Sequence, residues 1–161
     1  MHFGFSYIGL IFLCMLFIPN ILWSKNQPQD YDQYVKNENK ILVLIERIGE
    51  VAVTCCVIIF EDFNINDLSL WSIFLLVAFL LMILYELYWM RYFKSEKTMR
   101  DFYSDYLCFP VAGATLPVLA FLCLGIHGKN IFLIISTIIL AIGHICIHIN
   151  HKKEIYEIGE N

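Results

Sequence analysis

Three histidines close the last apolar segment of the chain, and their spacing is typical of a shared site. They lie in the run GHICIHINH as His144, His148 and His151. At about 100° per residue, His148 falls roughly 40° from His144 and His151 roughly 20° to the other side, so one helix face carries all three. Imidazoles one turn apart can meet a single metal ion or substrate group. The spacing predicts that these three residues are metal ligands, with zinc or iron as the candidate divalent metal.

Carboxylates in two other apolar segments extend this candidate site. Glu46 and Glu50 are four residues apart and share a helix face, and Arg47 can pair with Glu50. Glu86 lies near the end of a further apolar segment. Burial raises the pKa of a carboxyl group, which suits it to general acid or base catalysis. We therefore predict catalytic roles for Glu50, Glu86 and His144.

A second set of residues is predicted to contact the substrate. It comprises Glu46, Arg47, Tyr85 and Thr115. Thr115 belongs to the run PVAGATLP, in which Pro117 removes a helical hydrogen bond and frees the carbonyl of Gly113. In lipid such a carbonyl must find a partner or face a cavity. We expect Pro117 to kink its helix and Thr115 or the Gly113 carbonyl to border the site.

The elements that must position these residues are membrane helices. The chain is 59% hydrophobic with a mean hydropathy of +0.66, whereas soluble domains are nearer 45–50% apolar. An apolar run of about 20 residues spans a hydrocarbon core of about 30 Å. The sequence therefore predicts an all-α, polytopic integral membrane protein, a single domain over residues 1–161 with a bundle of five transmembrane helices. The predicted spans are 3–23, 41–60, 69–90, 105–126 and 130–150.

The placement of Lys and Arg predicts how the chain sits in the membrane. The first predicted loop carries three of them, the third loop four and the carboxyl tail two, while the fourth loop has only Lys129. Basic segments stay in the cytoplasm, so a multi-pass protein of the cell membrane is predicted, with its amino end outside and its carboxyl end cytoplasmic. The candidate Glu and His residues then lie in the cytoplasmic half of the bundle, where ionisable groups usually mark function.

Composition and motifs exclude several other classes. There is no basic patch with interleaved aromatics, so nucleic acid is not an expected partner, and no phosphate-binding glycine loop occurs. The six cysteines fall among apolar residues and are interpreted as small hydrophobes. Membrane lipid is the expected partner. A homo-oligomer is also left open, because the chain has no internal repeat of its own.

Three functions remain open on these residues. The first is an enzyme, metal-dependent or acid–base, that acts on a lipid or isoprenoid-like substrate from the cytoplasmic leaflet. The second is a small ion- or proton-coupled transporter, favoured by the broken helix beside Glu and His residues. The third is a non-catalytic membrane subunit whose carboxylates, histidines and Arg47 form a structural ion-pair network.

Overall fold

The computed structural model describes residues 1–28, 31–36, 38–65 and 69–158, and most of these residues are helical. The helices are α1 Tyr7–Ser24, α2 Tyr31–Val35, α3 Lys40–Ile59, α4 Ser72–Lys94, α5 Met99–Tyr103, α6 Ala112–His127 and α7 Ile131–Ile158. A 3-10 turn, Glu61–Phe63, follows α3. Within the described residues, β-structure is limited to two isolated bridges. The all-α prediction is confirmed.

Three of the helices are long and apolar enough to cross a membrane, fewer than the five predicted. They are Tyr7–Ser24, Ser72–Lys94 and Ile131–Tyr156. The other two long helices differ for physical reasons. α6 has 16 residues, a length of roughly 24 Å that falls short of a hydrocarbon core of about 30 Å. α3 is long enough, but Lys40, Glu46, Arg47 and Glu50 interrupt its apolar surface.

The fourth predicted span begins in a segment that is not helical. Residues 105–111 are not helical, and α6 starts only at Ala112. Pro110 disfavours helical geometry at the residue before it, and Leu107 and Val111 adopt positive φ angles of 54° and 46°. The last predicted span ends at residue 150, and helix α7 continues past it to Ile158.

Two short helices occupy segments that were predicted to be loops. α2 lies in the polar linker after α1, and α5 lies in the basic loop after α4. Thr98 starts α5 with a capping box, in which its hydroxyl accepts from the Asp101 backbone and the Asp101 carboxylate accepts from the Thr98 backbone. Both short helices cover the end of the bundle that holds the histidines. Part of the predicted acidic connection, residues 66–68, lies outside the described residues.

α3 packs antiparallel against α7 at very short range, and two glycines allow this approach. A Cβ atom added at Gly49 would lie 2.5 Å from the backbone of Leu140, and one added at Gly143 would overlap the backbone nitrogen of Glu46. Small residues of this kind let membrane helices approach backbone to backbone. The contact sets Glu46 beside the histidine face of α7.

The connections between long helices gather at two opposite ends. At one end, the Asp62 carboxylate accepts hydrogen bonds from the His2 backbone at 3.0 Å and from Asn130 Nδ2 at 3.2 Å. At the other end, the Asn26 carbonyl and side chain accept from the Tyr92 hydroxyl and from Lys97 Nζ. The five long helices therefore run alternately from one end to the other.

Candidate functional site

A cavity of about 790 Å³ lies between α1, α3, α4, α6 and α7. Its volume is in the range of ligand pockets, about 300–1,000 Å³. Its polar side chains include Asn20, Gln27, Tyr31, Glu38, Glu46, Arg47, Glu50, Thr54, Tyr85, His144, His148 and His151. Most of the other lining residues are aliphatic or aromatic, among them Phe17, Trp23, Val53, Trp89, Phe102, Phe121 and Leu140. The cavity is therefore an apolar chamber with one polar region.

The shortest polar contact in the wall joins α3 to α7. His144 Nδ1 lies 2.5 Å from Glu46 Oε1, and the side chains are only 23% and 13% exposed. Gly143, one residue before His144, provides the close backbone contact that makes this pairing possible. When the carboxylate accepts the Nδ1–H, Nε2 of the neutral imidazole carries the free lone pair. This arrangement orients an imidazole for accepting a proton at Nε2.

The other two histidines share one hydroxyl group. The Tyr103 oxygen lies 2.9 Å from His148 Nδ1 and 3.0 Å from His151 Nδ1. Burial raises the pKa of Tyr103 well above its ordinary value, so its hydroxyl stays protonated. A phenol has one O–H, so Tyr103 donates to one Nδ1 and accepts from the other. The two imidazoles therefore take opposite roles at Nδ1.

A carboxylate stands at the far end of this series. His151 Nε2 lies 3.2 Å from Glu38 Oε1, on the segment between α2 and α3. The His144 and His148 rings pack edge to face with their centroids 4.5 Å apart. Polar groups thus follow one another along the cavity wall in the order Glu46, His144, His148, Tyr103, His151, Glu38. Hydrogen bonds join Glu46 to His144, and Tyr103 to His148 and His151. The His144 and His148 rings meet by packing alone, and His151 Nε2 approaches Glu38 without hydrogen-bond geometry. Protons can move within each hydrogen-bonded part of the series.

Burial and a neighbouring negative charge both act on Glu38, the last carboxylate of this series. Burial raises the pKa of Glu38, and repulsion from the Glu46 carboxylate raises it further. Tyr31 lies close by, since its ring meets the His151 ring edge to face at 6.4 Å. Burial and then the Glu38 charge raise the pKa of Tyr31 to about 12, so its hydroxyl is a donor at neutral pH.

Several residues predicted from sequence do reach the cavity. Glu50 and Arg47 both line it, and they pair with each other at 2.9 Å on the more open side, where they are 41% and 70% exposed. Tyr85 also lines it and is almost fully buried, with its hydroxyl accepting from Asn20 Nδ2 at 2.8 Å. The structure therefore brings these three residues to the same chamber as Glu46 and the histidines, and their chemical roles stay predictions.

Two predicted site residues are not among those that line the cavity. Glu86 is half-buried on α4 and lies about 100° around the helix from Tyr85. Tyr85 faces the chamber, so Glu86 is on a different face of the helix. The Thr115 hydroxyl donates to the carbonyl of Pro110, which precedes α6, at 2.6 Å. Gly113 and Pro117 do line the cavity, while the kink at Pro117 stays a prediction.

The metal hypothesis also stays a prediction. In the part of the chain that the structure describes, no group of three or more His, Cys, Asp or Glu side chains is placed to hold a metal ion. The predicted ligands His144, His148 and His151 direct Nδ1 to Glu46 or Tyr103 instead. Their Nε2 atoms would be the ligating atoms for zinc or iron, since a metal-bound imidazole commonly gives its other nitrogen to such a partner.

Sequence reasoning missed Glu38, Tyr31 and Tyr103. All three come from the segments that were predicted to be loops, and nothing in their spacing links them to α7. Tyr103 alone had a signal, because it follows Phe102 in a charged stretch where two adjacent aromatics indicate burial. Both of these aromatic side chains are buried in the structure.

Comparison with known proteins supplies no family for this site. The chain matches no protein-family model, and neither a curated protein nor a solved structure is detectably similar to it. The function must therefore be argued from the geometry of the cavity.

Proposed function

We propose that the protein is a membrane-embedded acid–base enzyme that acts on a lipid or isoprenoid-like substrate. The observation that supports the proposal is the Glu46–His144 pair, which lies in the wall of a largely apolar cavity of ligand size. An apolar chamber admits a membrane-soluble molecule. A carboxylate-oriented imidazole supplies a group for moving a proton at the reacting atom.

The proposal includes a position in the membrane. α3 and α6 cross the bilayer beside the three more apolar helices, giving the predicted five passes. The five long helices run alternately up and down, which supports five passes. With five passes, α2, α5 and the carboxyl part of α7 lie on the same side of the membrane. Most Lys and Arg residues lie toward that side, which we assign to the cytoplasm. The charged side chains of α3 would face the cavity or its opening, so they would not be buried in lipid.

In the proposed chemistry, His144 is the catalytic base. Glu46 accepts the Nδ1–H and stabilises the imidazolium that forms when Nε2 takes a proton from the substrate. The His144 imidazolium then returns the proton to the product, and Glu50 lines the same chamber as a carboxylate paired with Arg47. Tyr103 hydrogen-bonds both His148 and His151, so a proton can pass between these two imidazoles at the end of the chamber that holds Glu38.

A metal-assisted form of the same enzyme remains a proposal. His144 and His148 would offer their Nε2 atoms, and a zinc or iron ion there would supply Lewis-acid chemistry. Elemental analysis of the purified protein separates the two forms. A stoichiometric metal that is lost in His148→Ala supports the metal form, and metal-free protein with retained activity supports the acid–base form.

The test of the enzyme proposal compares membrane lipids made in the presence of matched variants. Cells that express the parent chain, His144→Ala or His127→Ala are extracted, and their lipids and isoprenoids are profiled by mass spectrometry. His127 ends α6 and lies outside the cavity lining, so its variant is the matched control. We expect one lipid class to change with the parent chain and with His127→Ala, and to stay at the empty-vector level with His144→Ala. Identical profiles in all four samples contradict the proposal.

A structural role is the second candidate, and the ion pairs favour it. Glu46–His144 and Glu38–His151 join largely buried groups that would be costly to leave unpaired, and Arg47–Glu50 adds a pair on the more open side. If these pairs serve stability alone, His144→Ala unfolds in detergent under conditions where the parent chain stays folded. A folded His144→Ala protein that leaves the lipid profile unchanged from empty vector favours the enzyme.

A further inference from the structure

The charge of the cavity wall points to the kind of substrate. Three carboxylates line the cavity, and Arg47 is the sole Lys or Arg among its described lining residues. Arg47 pairs with Glu50, which leaves Glu38 and Glu46 with histidine partners that are charged only if protonated. The polar region of the chamber therefore carries excess negative charge.

Repulsion within the wall supports this reading. Glu38 and Glu46 both line the chamber, and like charges in one cavity wall repel each other. Lys153 borders a separate, smaller pocket on the other side of Glu38 and His151, where Glu154 accompanies it. A cation inside the main chamber would relieve the repulsion between Glu38 and Glu46 directly.

Aromatic rings surround the same region. Trp23 stacks on Phe102 with centroids 5.6 Å apart, and Tyr31 meets Trp23 edge to face at 4.8 Å. Trp89 and Tyr85 complete the aromatic wall of the chamber. Aromatic faces together with carboxylates are the surroundings that bind an ammonium group, whereas an anion such as phosphate would be repelled by the carboxylates.

The cavity also has an apolar side that can hold a chain. α1 and α3 touch at the end opposite the histidines, where Gly4 and Ser6 donate backbone hydrogen bonds to Ile59 and Ile58. Toward the histidine end the cavity separates the two helices, with Phe17 on α1 and Val51 on α3 at its edges, 44% and 65% exposed. Because both side chains line the cavity and are also exposed, the chamber opens between α1 and α3, and in the proposed membrane position this opening would face lipid.

We propose that the substrate is a single-chain amphiphile with a positively charged amine head group. Its ammonium lies against Glu38 and Glu46 within the aromatic wall, and its alkyl chain passes between α1 and α3. The inference rests on the proposed function and specifies the class of molecule on which that function operates.

Tryptophan fluorescence provides the test. Trp23 and Trp89 line the cavity, and Trp71 is the third tryptophan of the chain. The protein used is Trp71→Phe in zwitterionic nanodiscs, in which the two remaining fluorescent tryptophans, Trp23 and Trp89, both line the cavity. The probes are dodecylamine, dodecyl phosphate and dodecanol, each with a nitroxide near its head group to quench a nearby indole. Protein-free nanodiscs measure how much of each probe enters the bilayer.

We expect saturable quenching by the amine at a bilayer concentration at least tenfold below that needed by the phosphate or the alcohol. The double variant Glu38→Gln, Glu46→Gln should lose at least tenfold in apparent affinity for the amine and bind the alcohol unchanged. If that variant does not fold, the comparison of probes on the parent chain decides. Equal or tighter binding of dodecyl phosphate overturns the inference of a positively charged head group. It would still agree with a cavity that binds single-chain amphiphiles. Absence of saturable quenching by all three probes overturns the proposed function as well.

Discussion

Gly49 of α3 lies directly against the backbone of Leu140 in α7, at a distance that leaves no room for a side chain. The same interface brings Gly143 against Glu46, so the two helices meet at the level where the Glu46–His144 pair forms. Close packing and site geometry therefore depend on one another. Any group that separates the helices also pulls the carboxylate from the imidazole.

Gly49→Ala should consequently destabilise the protein and disturb the site. Its Cβ would meet backbone atoms of Leu140, which cannot rotate away, so we expect a loss of about 1–3 kcal/mol in the free energy of unfolding. Thermal melts in detergent measure it. Gly125→Ala is the matched control, because its nearest neighbour is the flexible side chain of Ile134 at 2.9 Å. Equal losses in the two variants would contradict the special role of the α3–α7 contact.

Acid should weaken the end of the bundle that holds Asp62. Burial acts to raise the pKa of Asp62, but hydrogen bonds from His2 and Asn130 outweigh it and hold that pKa below its ordinary value. A carboxyl group with a lowered folded-state pKa contributes stability that is complete above its ordinary value of about 3.9, and that stability is lost as the pH falls through the folded-state value.

The corresponding measurement is the melting temperature between pH 3 and pH 6. The parent chain should lose stability toward the acid end of this range, and Asp62→Asn should be less stable at pH 6 with a flatter dependence. A variant that shows the same slope as the parent chain would assign the acid sensitivity to other carboxylates.

Membrane orientation can be tested with reporters. Fusions at Lys97 and at the carboxyl end should read cytoplasmic, and a fusion after Asn64 should read external. The reason is the concentration of Lys and Arg at the end of the bundle that carries α2 and α5. An external signal at Lys97 would reverse the orientation and move the cavity to the other leaflet.

Helix periodicity singled out several residues that the structure places in the cavity wall, while their roles in a site stay predictions. The one-face spacing of His144 and His148 on α7 does bring both to the cavity, and Glu46 reaches it from a helix about a hundred residues earlier. Helical spacing also has a clear limit. It shows which residues share a helix face, but it does not show which face is directed toward the cavity. Glu86 shows this limit, since its neighbour Tyr85 faces the chamber instead.

The loop contributions could not be predicted for a different reason. Glu38 and Tyr103 meet His151 only after the short helices α2 and α5 fold over the end of the bundle. α2 and α5 have five residues each, too few to show amphipathic periodicity. Contacts of this kind depend on tertiary packing, whereas α1, α4 and α7 can be recognised in the sequence from their long apolar runs.

Tyr103→Phe tests whether the shared hydroxyl couples His148 to His151. The substitution keeps the buried ring and removes one oxygen, so both Nδ1 atoms lose their partner at 2.9 and 3.0 Å. Leaving buried polar atoms unpaired costs about 1–3 kcal/mol, so a moderate fall in melting temperature is expected with the fold retained.

The decisive readout of this variant is nitrogen NMR of histidine-labelled protein. In the parent chain, Tyr103 donates to one Nδ1 and accepts from the other, so His148 and His151 should give one unprotonated and one protonated Nδ1 signal. In Tyr103→Phe this fixed pair of tautomers should be replaced by averaged signals, and Tyr106→Phe, whose residue lies outside the cavity lining, should leave them unchanged. Unaltered signals in Tyr103→Phe would show that the hydroxyl does not connect the two imidazoles, and proton exchange between His148 and His151 would be lost from the mechanism.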